Sequence, residues 1–379
     1  MTGTAITLGQ IASEPIEDAP WPQPISNPHQ WRGSLASAPQ VLHLWGDFPM
    51  PPAISSPHSS TAESTWLQER RELYHGIPVT LKALGCPAAV WDSVWKLLVD
   101  ADQVFNRFAP ASEISQLAQQ PTSHGCQISP MLGLGIRAAL HARTLTRGTA
   151  DASIRPLVAI WRQAVADQTW PSDSVLAAAH QQCRLRDVSI DENNCLTVSG
   201  SSWCADLDLG GIIKGVLVDL AAERLRHAGV EHLLVQIGGE TTVCGRSPTG
   251  EPWRLGLQHP LLEQETWLVL HAPPEGLSCS TSADYRRAWE IAGTPVSHLI
   301  DPRTGRPASP DLLTAHVAIP NCGRCSDCEA LTKAVALMER TEADDVVTAV
   351  GGEWLHLEAR DQGVMESRSH GFERLVGER

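Results

Sequence analysis

No apolar run in this 379-residue chain approaches the roughly 20 residues that cross a bilayer as a helix. Basic charge is also short. Lys and Arg total 29 against 43 Asp and Glu, a net charge of −14, so nucleic acid and anionic membrane surfaces would repel the chain. The N-terminus, "MTGTAITLGQIASEPIEDAPW", lacks a basic segment followed by a sustained apolar one. It therefore does not read as a secretory signal, and a cytoplasmic location is predicted. There is no internal repeat, and neither the Walker nor the dinucleotide glycine spacing occurs.

Cysteine is too sparse for a small disulfide scaffold: there are ten in the whole chain. Cys86, Cys126, Cys183, Cys195, Cys204, Cys244 and Cys279 are scattered and read as small hydrophobes. Cys322, Cys325 and Cys328 stand three apart in "CGRCSDC". That spacing matches part of a zinc or iron–sulfur ligand set, with Cys279 or a histidine as the missing ligand, and is also compatible with plain reduced thiols.

A hydrophobic content of 42% supports a sizeable core, in one large domain or two ordinary ones. Residues 1–65 are rich in Pro, Ser and Ala and read as an irregular extension, in which "VLHLW" could form a docking strand. From about residue 70 to 379 helical and alternating patterns mix without a βαβ rhythm. This predicts a single α+β domain with a largely antiparallel sheet and flanking helices. Helices are predicted at "AAVWDSVWKLLVDADQVF", "MLGLGIRAALHARTLT", "GVLVDLAAERLRHAG" (stopped by Gly229) and "CEALTKAVALME". Strands are predicted at "IPVTLKAL", "HLLVQIGG", "WRLGLQ" and "TWLVLHA", and a hairpin turning at Asn193-Asn194.

Polar chemistry gathers in a few short stretches. "HLIDPRTGRP", His298 to Pro307, is a rigid corner: its two prolines fix φ and remove donors, and Arg303-Thr304-Gly305 reads as a turn. In "DLDLGGIIKGVLVD" a glycine pair lies between an acidic strand end and a helix, with Lys214 in the first turn. Such an elbow can bring backbone amides, a helix N-terminus and an ammonium to one anion; it can equally be a plain connection. "VQIGGETTVCG" reads as a tight bend, and "STSADYRR" as a polar loop able to bind phosphate or ribose. "RGTADASIRPLVAIW" places Asp151 and Ser153 before an apolar run. In "NRFAPASEISQL", Ser112 and Glu113 open a helix as an N-cap.

In this order, from about Gly76 to Met338, these segments resemble the FAD:protein FMN transferases, the ApbE-like flavin transferases. The resemblance implies an ApbE-like (T-fold-related) domain. It implies an activity that moves FMN from FAD onto a Ser or Thr hydroxyl of a target flavoprotein and releases AMP. FAD would then be a substrate, with an acceptor flavoprotein as partner. Residue by residue, the resemblance assigns FAD contacts to His75, Phe108, Thr149, Ala150, Asp151, Asp208, Lys214, Tyr285 and His298. It places His298 and Asp301 beside the point of transfer, where an imidazole that titrates near neutrality could take the hydroxyl proton. It also implies Mg²⁺ at Gly211 and at two positions of the late helix, occupied here by Glu329 and Lys333. Glu for the family's Asp retains the charge, whereas Lys for its Thr replaces an oxygen ligand by a donor. That change admits alternatives: an FAD-binding relative without transferase activity, or an FAD pyrophosphatase.

Overall fold

A computed structural model describes residues 6–8, 65–73, 76–119, 125–199, 206–262, 264–283, 289–360 and 363–377. The expected strand at "VLHLW" lies outside these residues. Of the N-terminal extension, Ile6–Leu8 forms a short strand parallel to Arg254–Gln258.

The frame is an eight-stranded sheet. Its strands are β1 (Trp66–Leu73), β2 (Ile77–Leu84), β3 (Leu233–Ile237), β4 (Glu240–Cys244), β5 (Leu277–Ala283), β6 (Leu312–Pro320), β7 (Glu353–Arg360) and β8 (Gly363–Arg368). Strand order follows chain order from one edge to the other. Every neighbouring pair is antiparallel. Helices enter in the long connections. Between β2 and β3 come α1 (Ala88–Phe105), α2 (Pro130–Leu145), α3 (Arg155–Asp167) and α4 (Ile213–His227); α5 (Cys325–Leu337) follows β6. The α+β class, the antiparallel sheet and its flanking helices are thus as the sequence predicts.

Burial explains the sheet's place in the molecule. All five residues of β3 and all five of β4 are buried, as strands covered on both faces must be. On one face Val79, Leu81, Val235 and Ile237 pack with Val94 and Leu98 of α1 and Leu217 and Ala221 of α4. On the other, Leu234, Val243 and Leu277 pack against Leu255, Leu257, Leu268 and Leu270 of a smaller sheet built from Arg254–Gln258 and Thr266–His271. In β6 the alternation is explicit: Ala315, Val317 and Ile319 face α5 through Cys328, Leu331 and Val335.

Two contacts join α4 to α5 and so set the site. A Cβ on Gly215 would fall 2.6 Å from the Cα of Ser326, so only glycine lets the two backbones approach this closely. One turn along α4, Asp219 accepts hydrogen bonds from the Cys325 amide at 2.7 Å, the Ser326 amide at 3.0 Å and the Ser326 hydroxyl at 2.6 Å. This cap lets α5 start at Cys325, three residues before the start predicted at Cys328. At the rigid corner, Ile300–Asp301 and Arg306–Pro307 form a minimal hairpin. The buried indole of Trp161 in α3 donates to the Gly305 carbonyl at 2.8 Å and pins it. Replacing Asp219 with Ala strands two helix-end amides in the interior. The expected cost is about 1–3 kcal/mol, read as a lower denaturant midpoint at unchanged slope.

Candidate active site

Where β5 parts from β4, the sheet opens. β5 pairs with β4 only over Leu277–Cys279, while its whole length through Ala283 pairs with β6. The β3–β4 turn folds over the opening, and a Cβ on Gly239 would crowd the Thr281 carbonyl at 3.3 Å. The opening leads into a cavity of about 1330 Å³ walled by this sheet end, α4, α5 and the loops after α1 and α2.

Phe108, Thr149, Ala150, Asp151, Asp208, Gly211, Lys214, His298, Glu329 and Lys333 all line that cavity. Residues spread over more than 200 positions of sequence are therefore brought together. His75 and Tyr285 lie outside the described residues. Asp301 is not brought to the cavity wall. Its carboxylate accepts from the Arg303 amide at 2.8 Å and from the Arg303 guanidinium at 2.9 Å, so it holds the corner's shape.

Each wall has its own means of support. Asp208 caps a single 3₁₀ turn, Leu209–Gly211, by accepting from the Gly210 amide at 2.9 Å, and pairs with Arg107 at 3.4 Å. Asp151 accepts from Arg143 at 2.8 Å and from the Ser153 amide and hydroxyl at 2.8 and 2.6 Å, which fixes the loop carrying Thr149 and Ala150. Ser112 caps the short helix Glu113–Leu117. Just ahead of it Phe108 stands 66% exposed, its ring under the Arg107 guanidinium at 4.4 Å. An aromatic face presented this way is a platform for a flat heterocycle.

At the centre four charges alternate. Lys214 bonds to Glu329, which is wholly buried, and lies 3.3 Å from Glu240. The second oxygen of Glu329 accepts from the Gly215 amide at 2.7 Å. Lys333, one turn beyond Glu329, donates to the Glu329 main-chain carbonyl at 2.7 Å. Burial alone would depress Lys214, but Glu240 and Glu329 outweigh it and hold it above the ordinary lysine value. Burial pushes Glu240 up to about 7, with Lys214 partly opposing. Burial brings Lys333 down to about 8 despite Glu329. The strand wall carries uncharged polar groups instead. Thr314 Oγ1 and His316 Nε2 are buried without a hydrogen-bond partner among the described residues, and His316 Nδ1 lies 2.8 Å from Thr281 Oγ1.

Sequence reasoning missed Glu240, Thr314 and His316 as site residues. The signal was present for the last two: a polar pair two apart in the otherwise apolar strand "LLTAHVAIP" faces one side.

With this geometry in view, the comparisons with known proteins are decisive. Residues 75–353 match the model of the ApbE family. This chain belongs to the ApbE family. It is 30% identical over 230 residues to an FAD:protein FMN transferase of Vibrio cholerae, covering 60% of this chain and 67% of the relative. It is 27% identical over 237 residues to one from Klebsiella pneumoniae, covering 62% and 72%. Among solved structures, flavin transferase ApbE from Vibrio cholerae matches with a TM-score of 0.67 at 24% identity over 82% of this chain and 99% of that one. The apo form of Pseudomonas stutzeri flavinyl transferase ApbE matches with a TM-score of 0.69 at 22% identity over 84% and 99%. These structural likenesses show a common fold.

Two metal expectations meet the observed geometry and fail. The three-cysteine cluster does not converge: Cys322 is disulfide-bonded to Cys244, with Cα atoms 6.6 Å apart. Cys325 and Cys328 are buried thiols bonded to the carbonyls of Cys279 and Ser278, and burial holds both well above the ordinary thiol value. For magnesium, both Glu329 oxygens are already taken by Lys214 and Gly215, and Lys333 offers only donors. No group of three His, Cys, Asp or Glu side chains able to hold a metal occurs among the described residues. The residues present do not fit the magnesium site that the resemblance implies.

Burial also brings the His316 and His356 imidazoles from an ordinary 6.5 down to about 3. The folded state thus favours their neutral forms. The sign follows: this contribution is complete above pH 6.5 and is lost as pH falls toward 3. Each buried imidazole can cost up to about 1.4 kcal/mol per pH unit in that window. In urea unfolding, His316→Gln is expected to lose less stability between neutral pH and pH ~4 than the parent does.

Proposed function

We propose that this chain transfers FMN from FAD to a Ser or Thr hydroxyl of a target flavoprotein, with AMP as the other product. The observation that carries the reading is the convergence of Phe108, Asp151, Asp208, Lys214 and His298 on one cavity of about 1330 Å³. The glycine–lysine elbow at its centre suits the diphosphate, Phe108 suits the flavin ring, and the strand wall suits the uncharged remainder. The acceptor hydroxyl attacks the phosphorus of the FMN half, forming a P–O bond. The bond from that phosphorus to the bridging oxygen breaks, AMP departs with that oxygen, and His298 receives the hydroxyl proton. In this scheme the protein contributes placement and charge compensation.

The chain carries no helix, among the described residues, long and apolar enough to cross a membrane. A cytoplasmic location rests on seven free cysteines among the described residues, five of them buried; the Cys244–Cys322 bridge argues for an oxidising compartment instead. Fractionation of cells expressing the chain decides between the two.

Incubation with FAD and a target flavoprotein tests the activity, read as flavin fluorescence in a denaturing gel alongside AMP release. Labelled target with matching AMP is expected. AMP without label indicates hydrolysis, and neither product overturns the reading. His298→Ala is expected to slow labelling by about 10²–10⁴-fold while FAD still binds.

A further inference from the structure

The diphosphate of FAD brings two negative charges into a partly enclosed cavity, where each must meet positive charge. The chain is sparing with ammonium groups. Its lysines are Lys82, Lys96, Lys214 and Lys333, and the last two both line this cavity. They are held differently. Lys214 is paired with two carboxylates, Glu329 and Glu240. Lys333 is anchored by a main-chain carbonyl, that of Glu329 at 2.7 Å, and by the Thr332 hydroxyl at 3.4 Å. A carbonyl orients an ammonium without cancelling its charge. The Lys333 stem also passes the glycine elbow, its Cε 3.5 Å from where a Gly211 Cβ would stand. Its charge is therefore delivered beside Gly211, the position from which the family resemblance would have a carbonyl reach a metal.

We infer that the Lys333 ammonium replaces a divalent cation in this chain, so that FAD is held by Lys214 and Lys333 without magnesium. This rests on the FAD reading of the cavity. A lysine is a compact point charge with three donors; two are engaged with Glu329 and Thr332, and the third serves a phosphate oxygen. Mg²⁺ would need several hard oxygens in near-octahedral array, where this site offers a doubly engaged carboxylate and a competing cation.

Calorimetry on the whole chain tests the inference, with FAD titrated in a chelating buffer and in millimolar magnesium. The expected dissociation constants agree within about twofold, and magnesium titrated into the protein without FAD shows no saturable binding. Lys333→Met and Lys333→Thr are expected to weaken FAD by roughly 10- to 100-fold in the chelating buffer, the loss of one charge-assisted bond to phosphate. The inference is overturned if magnesium tightens parental FAD binding by about tenfold or more. A saturable magnesium site on the parent overturns it too, as does unchanged affinity in a folded Lys333→Met. Should the variants fail to fold, the two parental titrations decide. FAD binding that needs magnesium removes only this inference; no FAD binding in either buffer removes the functional reading with it.

Discussion

A carboxylate with no access to water must find every hydrogen bond inside the protein, at a cost of several kcal/mol if it fails. Glu329 takes its partners from Lys214 and from the Gly215 amide, two neighbouring residues of α4. That single side chain locks the register of α4 against α5. The missing side chain at Gly215 permits the approach, and Asp219 repeats the linkage one turn later by capping the first turn of α5. The glycine elbow, the lysine and the late helix are consequently one piece. Displacing any of them would leave a buried charge without its counterpart.

The rest of the cavity is arranged around that piece. Alternating Glu and Lys charges make its middle polar without giving it a large net charge, so an entering diphosphate meets ammonium groups already oriented and partly desolvated. Preorganisation of this kind is where an enzyme of the transfer class gains most, because nothing need reorganise as charge shifts during the reaction. Phe108 and the Asp151 and Asp208 loops line the same cavity as Thr281, Thr314 and a His316 kept neutral by burial.

Much of this was legible in the chain itself, for physical reasons that differ by element. The span of α1 follows from its apolar spacing and matches at both ends, Ala88 and Phe105. The hairpin turn follows from Asn194, which takes φ of 61°. Most of the site was legible because each segment carries its own local device, such as the Asp208 cap or the Ser112 cap. What failed depends on distance. The start of α5 is set by Asp219, 106 positions earlier, and the fate of Cys322 by Cys244, 78 positions earlier. Asp301 shows the opposite case, in which a carboxylate in a crowded polar corner serves its own turn, here through Arg303.

The most direct measurement is a crystal structure of the chain with FAD, grown in the presence of a chelator. The account expects the diphosphate within hydrogen-bond distance of both the Lys214 and Lys333 ammonium groups, with the isoalloxazine against Phe108. A diphosphate seated away from the elbow, or Lys333 swung out of the cavity in the complex, would contradict it.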